Sequence, residues 1–208
     1  MVGFWELAIA RSDKVLELAG EHVMIVLVAV AAAIALGVAF GIIITYYRAA
    51  AGPVLYLCQV VMTVPSLALL GLLLPLFGIG FKTGVVALIL YALLPIVRNT
   101  YTGVREIDPA IIEAARGMGM REATILRRIK LPLARGVIMA GVRTAVVMTV
   151  GIAAIASFVG AGGLGEFIFR GISQWNLGLV LLGAVCVSVL AIAADLLLKW
   201  VEDRFTVS

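Results

Sequence analysis

Charged residues are scarce in this chain of 208 residues, since Asp, Glu, Lys and Arg together make up only 13% of it. A soluble domain has about 25% charged and about 45–50% apolar residues, whereas this sequence is 63% apolar. That composition excludes an ordinary soluble domain and indicates a single-domain integral membrane protein. The net charge of +4 comes without a basic patch interleaved with aromatic residues, so we predict no nucleic-acid partner.

Histidine and cysteine are almost absent as well. His22 is the one histidine, and Cys58 and Cys186 lie within apolar runs. One histidine at a membrane edge cannot complete a Ser/His/Asp or Cys/His set, and we expect it to be an interfacial residue. The cysteines have no metal or disulfide spacing and are expected to pack as small apolar residues.

A phosphate-binding loop is also missing. That loop needs the pattern G-x-x-x-x-G-K-[ST], and in the nearest segment, residues 78–83, Phe81 separates the glycine from the lysine. We therefore predict that the chain is not an enzyme and has no metal or cofactor of its own. Aromatic residues make up 8% of the chain and are scattered, so the sequence shows no multi-ring cage of the kind that binds quaternary ammonium groups.

Long apolar runs are abundant, and they predict an all-α membrane protein with about five transmembrane helices. A bilayer crossing needs about 20 apolar residues. The first run is too long for the core of a cleaved signal peptide. Residues 1–22 are predicted to be an extracytoplasmic segment that could form an interfacial helix, and residues 23–204 to be the membrane domain. The predicted spans are about 23–46, 54–77, 81–97, 136–159 and 177–200.

Three prolines lie inside the predicted spans, with Pro65 and Pro75 in the second and Pro95 in the third. Each proline frees a backbone carbonyl that a neighbour or water must satisfy. These prolines therefore mark either helix breaks along a pathway or simple kinks. The first span contains the pattern Gly37-x-x-x-Gly41, which suits close helix packing.

Basic residues are concentrated between the third and fourth spans, where eight of them lie. Cytoplasmic loops carry such an excess, so this loop is predicted to be cytoplasmic. Five spans then put the N-terminus outside and the C-terminus inside. Arg143 and Asp195 fall within or near spans, where charges are costly. They could pair with each other, or Arg143 could extend its charge to the interface.

Residues 160–176 are predicted to lie outside. Several glycines are followed by an apolar patch that begins at Phe167. The segment could be a re-entrant turn, a contact surface for an extracytoplasmic partner, or a loop on the membrane surface. The candidate partner contacts are Gly162, Gly163, Gly165 and Phe167.

The longest polar segment is residues 108–132, predicted to be a coupling loop of two short helices. Asp108 can cap a helix whose first position is Pro109, and glycines at 117 and 119 can stop it. The helical pattern restarts at residue 121 and is predicted to end at Pro132. Ala110, Ala114 and Ala115 form a small-residue face that permits close approach of a partner. The alternative is a basic cytoplasmic loop without a partner.

A resemblance to a known family starts from this loop. The pattern Glu113-Ala114-Ala115, then Gly119, Ile129 and Leu131-Pro132 resembles at every position the EAA motif of bacterial ABC importer permeases. Nearly the whole chain is similar to the osmoprotectant branch, which handles glycine betaine, carnitine and choline. The stretches that carry this similarity are residues 63–80, 91–104, 108–120 and 160–173.

The resemblance implies that the chain is the transmembrane subunit of an ATP-driven importer with a type I fold, in the bacterial cytoplasmic membrane. Its partners would be a second permease subunit, two ATPase subunits that bind ATP and Mg, and an extracytoplasmic binding protein. Alternatives are a methionine-type amino-acid importer, a passive channel or secondary transporter, and a structural scaffold. The resemblance assigns coupling to the ATPase subunit to Glu113, Ala114, Ala115, Arg116, Met118, Gly119 and Arg121.

Overall fold

Helices account for nearly all of the chain. A computed structural model describes residues 4–206, and no strand occurs in this part of the chain. The all-α fold predicted from the apolar runs is therefore confirmed. The elements are α1 (Phe4–Ala10), α2 (Ser12–Tyr46), α3 (Arg48–Thr63), α4 (Ser66–Phe77), α5 (Phe81–Arg105), α6 (Pro109–Gly117), α7 (Glu122–Ile125), a π-helical turn (Leu126–Lys130), α8 (Leu131–Ala156), a 3-10 turn (Ser157–Val159), α9 (Gly165–Ser173) and α10 (Leu177–Thr206).

The described residues contain four helical segments long and apolar enough to cross a membrane, and a fifth if one bent pair counts as a single span. The four are α2, α5, the segment from α7 through residue 159, and α10. The bent pair is α3 and α4. This number agrees with the predicted count of about five. The helices extend beyond the predicted spans because each continues into polar residues past its apolar run.

The predicted N-terminal segment and the first predicted span share one helix, because α2 runs through residues 22 and 23 without a break. Residues 12–21 continue the helix, and Leu18 is buried against Leu164, Phe167 and Leu179. An ion pair between Lys14 and Glu17, 2.8 Å apart, adds a contact at i, i+3 spacing. Packing of this polar extension against α9 and α10 therefore keeps it helical.

The second span is broken at Pro65, as the sequence predicts. α3 and α4 meet at an angle of 102° across Val64 and Pro65. The break releases the carbonyl of Val64, and the Tyr91 hydroxyl of α5 donates a hydrogen bond to it. A neighbouring helix thus satisfies the freed backbone group, which is the condition for a broken helix at membrane depth.

The helix breaks predicted at Pro75 and Pro95 are not found, because both prolines lie inside continuous helices. Pro95 is buried in α5, between α2 and α8, and the Asn99 side chain donates to its carbonyl at 2.8 Å. Gly141 of α8 leaves room for the same carbonyl, since a Cβ there would lie 2.7 Å from it. Close packing by α2 and α8 holds α5 helical despite the proline. Pro75 lies two residues before the end of α4, so little helix remains beyond it to be redirected.

Tyr91→Phe is expected to loosen the bend between α3 and α4. Losing the hydroxyl leaves the Val64 carbonyl without its donor, at a cost of about 1 kcal/mol. Thermal unfolding of the purified chain in detergent should register a lower midpoint. The matched control is Tyr56→Phe, because Tyr56 is exposed and its hydroxyl has no such bond. Equal midpoints for the two variants would contradict the role assigned to Tyr91.

α5 is the centre of the bundle and packs against both α2 and α8, which also contact each other. A Cβ on Gly37 would lie 2.7 Å from Ile96, and one on Gly41 would lie 2.5 Å from Thr100. The two glycines therefore let α2 pack closely on α5. The two helices are parallel, because the contact four residues further along α2 is also four residues further along α5. α8 is antiparallel to α5, since Gly103 contacts Val137, and α10 is antiparallel to α8. The C-terminal ends of α2, α5 and α10 thus lie beside the start of α8.

Candidate functional site

α6 stands at the basic end of the bundle, and both of its ends are fixed by local contacts. The Asp108 side chain accepts a hydrogen bond from the Ala110 amide at 2.9 Å, and Pro109 occupies the first helical position. At the other end the Met120 amide donates to the Ala115 carbonyl and the Gly119 amide to the Arg116 carbonyl. These two bonds form a Schellman motif, and Gly119 supplies the left-handed residue it needs, with φ +79°. The predicted helix and glycine turn are confirmed.

The second helix of the loop does not end at Pro132, which corrects the sequence prediction. It starts at Glu122 and continues through a π-helical turn into α8. In that turn the Leu131 amide bonds to the carbonyl of Leu126, five residues back. A proline in a helix lacks one amide donor and crowds the preceding turn. The wider π-helical turn just before Pro132 accommodates the ring, so the helix continues.

Glu122 joins α6 to this long helix. Its carboxylate accepts from the Arg116 guanidinium at 2.7 Å and lies 3.8 Å from the Lys130 ammonium. α6 is therefore anchored both by its cap and by an ion pair across the turn. Because this ion pair joins α6 to α7, movement of α6 is expected to move α7. It should move α8 as well, since α7 runs directly into α8.

α6 presents two different faces, and the candidate coupling residues divide between them. The outward face consists of Ala110, Ile111, Ala114 and Met118, all exposed, with Met118 at 74%. The opposite face turns toward the bundle and includes Ile112, Glu113 and Arg116. Arg121 is exposed at the start of α7. The outward face is a small apolar surface on a fixed helix, suited to contact with another subunit.

Ala115 is not part of that outward face, although the sequence predicts it there. Its side chain is 1% exposed and is enclosed by the chain itself. Consecutive helical residues are turned by about 100°, since a turn takes 3.6 residues. Glu113, Ala114 and Ala115 therefore point toward the bundle cleft, the outside and the chain interior, respectively. Ala115 packs α6 against the rest of the chain, and its contact with the ATPase stays a prediction.

The glycine-rich segment lies at the other end of the bundle, and its candidate partner contacts pack largely against the chain itself. Gly163, Gly165 and Phe167 are buried, and Gly162 is half-buried. The Gly163 amide donates to the Glu21 carboxylate at 2.9 Å, and a Cβ on Gly162 would lie 2.6 Å from the same group. Phe167 packs in a cluster with Leu18 and Leu179. These residues hold the turn against α2, and their contact with an extracytoplasmic partner stays a prediction.

His22 has a structural role that the sequence analysis does not predict. It is fully buried, accepts a hydrogen bond from the Leu164 amide at 3.2 Å on Nδ1, and donates from Nε2 to the Val150 carbonyl at 3.0 Å. It thus links α2, α8 and the glycine turn and is not an interfacial residue. Leu164 lies 142 positions away, so no local pattern could have indicated this contact.

Arg143 and Asp195 form the ion pair that the sequence offers as one alternative. The Arg143 Nε lies 2.6 Å from Asp195 Oδ1, and its Nη2 lies 2.9 Å from Oδ2. Glu202 accepts from the remaining Nη1 at 3.3 Å. The pair borders a cavity of about 490 Å³ between α8 and α10. Pairing of the charges within the bundle replaces extension of Arg143 to the interface.

Asp195→Ala is expected to destabilise the bundle, because it leaves the Arg143 charge at membrane depth with only the longer bond to Glu202. The double variant Arg143→Met with Asp195→Leu removes both charges of this half-buried pair and should recover much of the loss, since the Arg143 charge is no longer left without Asp195. The midpoint of thermal unfolding in detergent checks both variants. A double variant no more stable than Asp195→Ala would contradict the pairing.

Comparison with known proteins identifies the family that has this architecture. Residues 23–207 match the family described as the binding-protein-dependent transport system inner membrane component. The chain belongs to this family. It is 45% identical over 184 residues to the choline transport system permease protein OpuBD of Bacillus subtilis, covering 88% of this chain and 81% of that protein. It is 44% identical over 183 residues to the glycine betaine/carnitine/choline transport system permease protein OpuCD of the same organism, covering 88% and 80%.

The fold also matches a solved structure. A chain of the MetNI methionine ABC transporter, in an inward facing conformation, aligns with a TM-score of 0.80 at 20% identity, covering 91% of this chain and 95% of that one. The chain therefore has the fold of a type I ABC importer permease. As a member of its family it is a multi-pass inner membrane protein and a transport subunit, working with an ATPase and a substrate-binding protein.

Proposed function

We propose that this chain is the membrane-spanning subunit of an ATP-driven importer of osmoprotectants of the quaternary ammonium class, such as choline, carnitine and glycine betaine. The observation that carries the proposal is the identity above 40% to permeases named for these substrates, over four fifths or more of their length. The methionine-type alternative has weaker support, because at 20% identity the likeness to that transporter concerns the fold alone.

In this proposal α6 transmits force from the ATPase to the bundle. In this assignment the partner ATPase subunits bind the ATP and Mg. Ala110, Ile111, Ala114 and Met118 contact the ATPase, and Gly119 sets the end of the helix. Since Glu122 ties α6 to the helix that becomes α8, a push on α6 tilts that span. Glu113, Arg116 and Arg121 support α6 from beside the contact.

The assembly that we propose has two permease subunits, either two copies of this chain or this chain and a paralogue, with two ATPase subunits and one binding protein. The second permease subunit would cover the exposed stripe of α8 that includes Thr144 and Gly151. Native mass spectrometry of the purified complex measures this stoichiometry directly.

Uptake into proteoliposomes tests the function. The complex is reconstituted into vesicles, and its binding protein is added outside. Entry of labelled choline, carnitine, glycine betaine and methionine is then measured with and without ATP enclosed in the vesicles. We expect ATP-dependent uptake of at least one quaternary ammonium compound and no uptake of methionine. Uptake of methionine alone would favour the amino-acid alternative, and uptake that does not need ATP would favour a channel or secondary transporter.

A further inference from the structure

A cleft of about 220 Å³ separates the inward face of α6 from the bundle. It lies on the side of α6 opposite to Met118, where the ends of α2 and α5 and the start of α3 come together. Its walls carry an unusual set of polar side chains. They are Thr45, Arg48, Tyr101, Arg105, Glu113, Arg116 and Lys130.

Positive charge in the cleft exceeds negative charge. Four cationic side chains line it, and Glu113 is its only carboxylate. Glu122 lies within ion-pair distance of two of the cations, Arg116 and Lys130. Within residues 4–206, no carboxylate lies within ion-pair distance of Arg48 or Arg105. Among these residues, the Arg48 and Arg105 guanidinium groups therefore share one cleft and neither forms an ion pair.

Aromatic rings hold two of the cations in place. The Arg105 guanidinium lies 5.5 Å from the centre of the Tyr101 ring and also donates to the Tyr101 hydroxyl. The Lys130 ammonium lies 4.8 Å from the centre of the Tyr46 ring, and its side chain is 13% exposed. These contacts fix the Arg105 and Lys130 cations at the same cleft, although like charges repel. Such an arrangement suits a multivalent anion with several acceptor oxygens.

The cleft lies at the end of the bundle where the basic residues are concentrated, which the excess of positive charge identifies as the cytoplasmic side. Tyr46 and Tyr47 beside it are exposed, and exposed tyrosines at the end of a span belong to the headgroup layer. Basic pockets between membrane helices on this side bind anionic headgroups.

We propose that this cleft is a phosphate-binding site, in which Arg48 and Arg105 hold the phosphate and Lys130 and Arg116 add positive charge. The phosphate belongs either to the headgroup of an anionic phospholipid or to a soluble phosphate compound. A bound phosphate would bridge α6, α3 and α5 and offset the repulsion among their cations. The inference goes beyond the transport function and holds whatever the transported substrate is.

Native mass spectrometry of the full chain tests the site. The chain is released from nanodiscs that contain phosphatidylglycerol and phosphatidylcholine in equal amounts. We expect retained phosphatidylglycerol on the unmodified chain and a loss of about tenfold or more in Arg48→Gln with Arg105→Gln, because each basic residue near an anionic headgroup adds appreciably to its affinity. The matched control is Arg127→Gln with Arg128→Gln, which removes two exposed charges of the same loop outside the cleft and should retain the lipid.

A second arm distinguishes the source of the phosphate. Inorganic phosphate is titrated against the chain in nanodiscs of phosphatidylcholine alone, with binding followed by calorimetry. Heat that disappears in the Arg48 and Arg105 variant, together with equal release of both lipids, identifies a soluble phosphate compound. Preferential phosphatidylglycerol retention without such heat identifies the lipid.

Two outcomes would overturn the proposal. One is equal lipid loss in the cleft variant and in the Arg127 and Arg128 control, which would indicate general surface attraction. The other is neither lipid retention nor phosphate binding by the unmodified chain.

Arg48→Lys with Arg105→Lys keeps both charges and shows whether a loss of binding in the glutamine variant comes from a folding defect. It should keep part of the binding, since lysine attracts phosphate without the two-pronged geometry of arginine.

Discussion

Gly165→Ala is expected to leave almost no correctly folded chain in the membrane. A Cβ at this position would lie 1.9 Å from the Ala154 carbonyl oxygen and 2.7 Å from the Ser157 hydroxyl oxygen. The first of these atoms is backbone of the helix that α9 packs against, so it cannot rotate away. Either α9 separates from α8 or the glycine turn opens, and the contacts of that turn with Glu21 and His22 would be lost.

Detergent extraction followed by size-exclusion chromatography of the tagged chain measures this effect. The matched control is Gly52→Ala in α3, where a Cβ meets nothing within 4 Å. That variant should elute as the unmodified chain does, because alanine favours a helix more than glycine does by about 1 kcal/mol. A Gly165→Ala chain that elutes normally and unfolds at the usual temperature would contradict the packing of α9 on α8.

Met118→Asp is expected to abolish coupling to the ATPase while the permease still folds. Met118 is 74% exposed, so a carboxylate there is well hydrated in the chain alone. In the proposed contact it would be buried beside Ala114 without a partner, at a cost of about 3 kcal/mol, or roughly a hundredfold in affinity. The measurements are co-purification of the ATPase and ATP-dependent uptake in proteoliposomes.

Met118→Leu is the control for this prediction, because it keeps the apolar surface of α6 and changes the volume little. It should retain ATPase binding and most of the uptake. If Met118→Asp supports normal uptake, the outward face of α6 is not the contact. If Met118→Leu is as inactive as Met118→Asp, the effect arises from local structure and not from the buried charge.

The local features of α6 could be predicted from sequence because each depends on neighbours in the chain. Asp108 caps the helix two residues away, and Gly119 closes the turn with bonds that span at most five residues. The break at Pro65 is local in the same sense. The pairing of Arg143 with Asp195 was available as one alternative, since membrane charges need partners and the sequence offers few.

Other features depended on contacts between distant segments. The continuity of α5 through Pro95 is accompanied by packing of both α2 and α8 against it, which no local pattern contains. The burial of Gly163 and Phe167 follows from contact with α2, whose residue Glu21 is 142 positions from Gly163. The orientation of Ala115 likewise depends on where the bundle lies relative to α6. Sequence patterns identified these residues as special but could not assign their neighbours.

Site-specific photo-crosslinking tests the central claim most directly, namely that the outward face of α6 is the contact through which the ATPase drives the bundle. A benzoylphenylalanine residue replaces Met118 in one sample and Trp175, which is 96% exposed at the opposite end of the bundle, in another. After irradiation of the reconstituted complex, the account predicts that position 118 crosslinks to the ATPase and position 175 does not. A crosslink to the ATPase from position 175, or none from position 118 in an active complex, would contradict it.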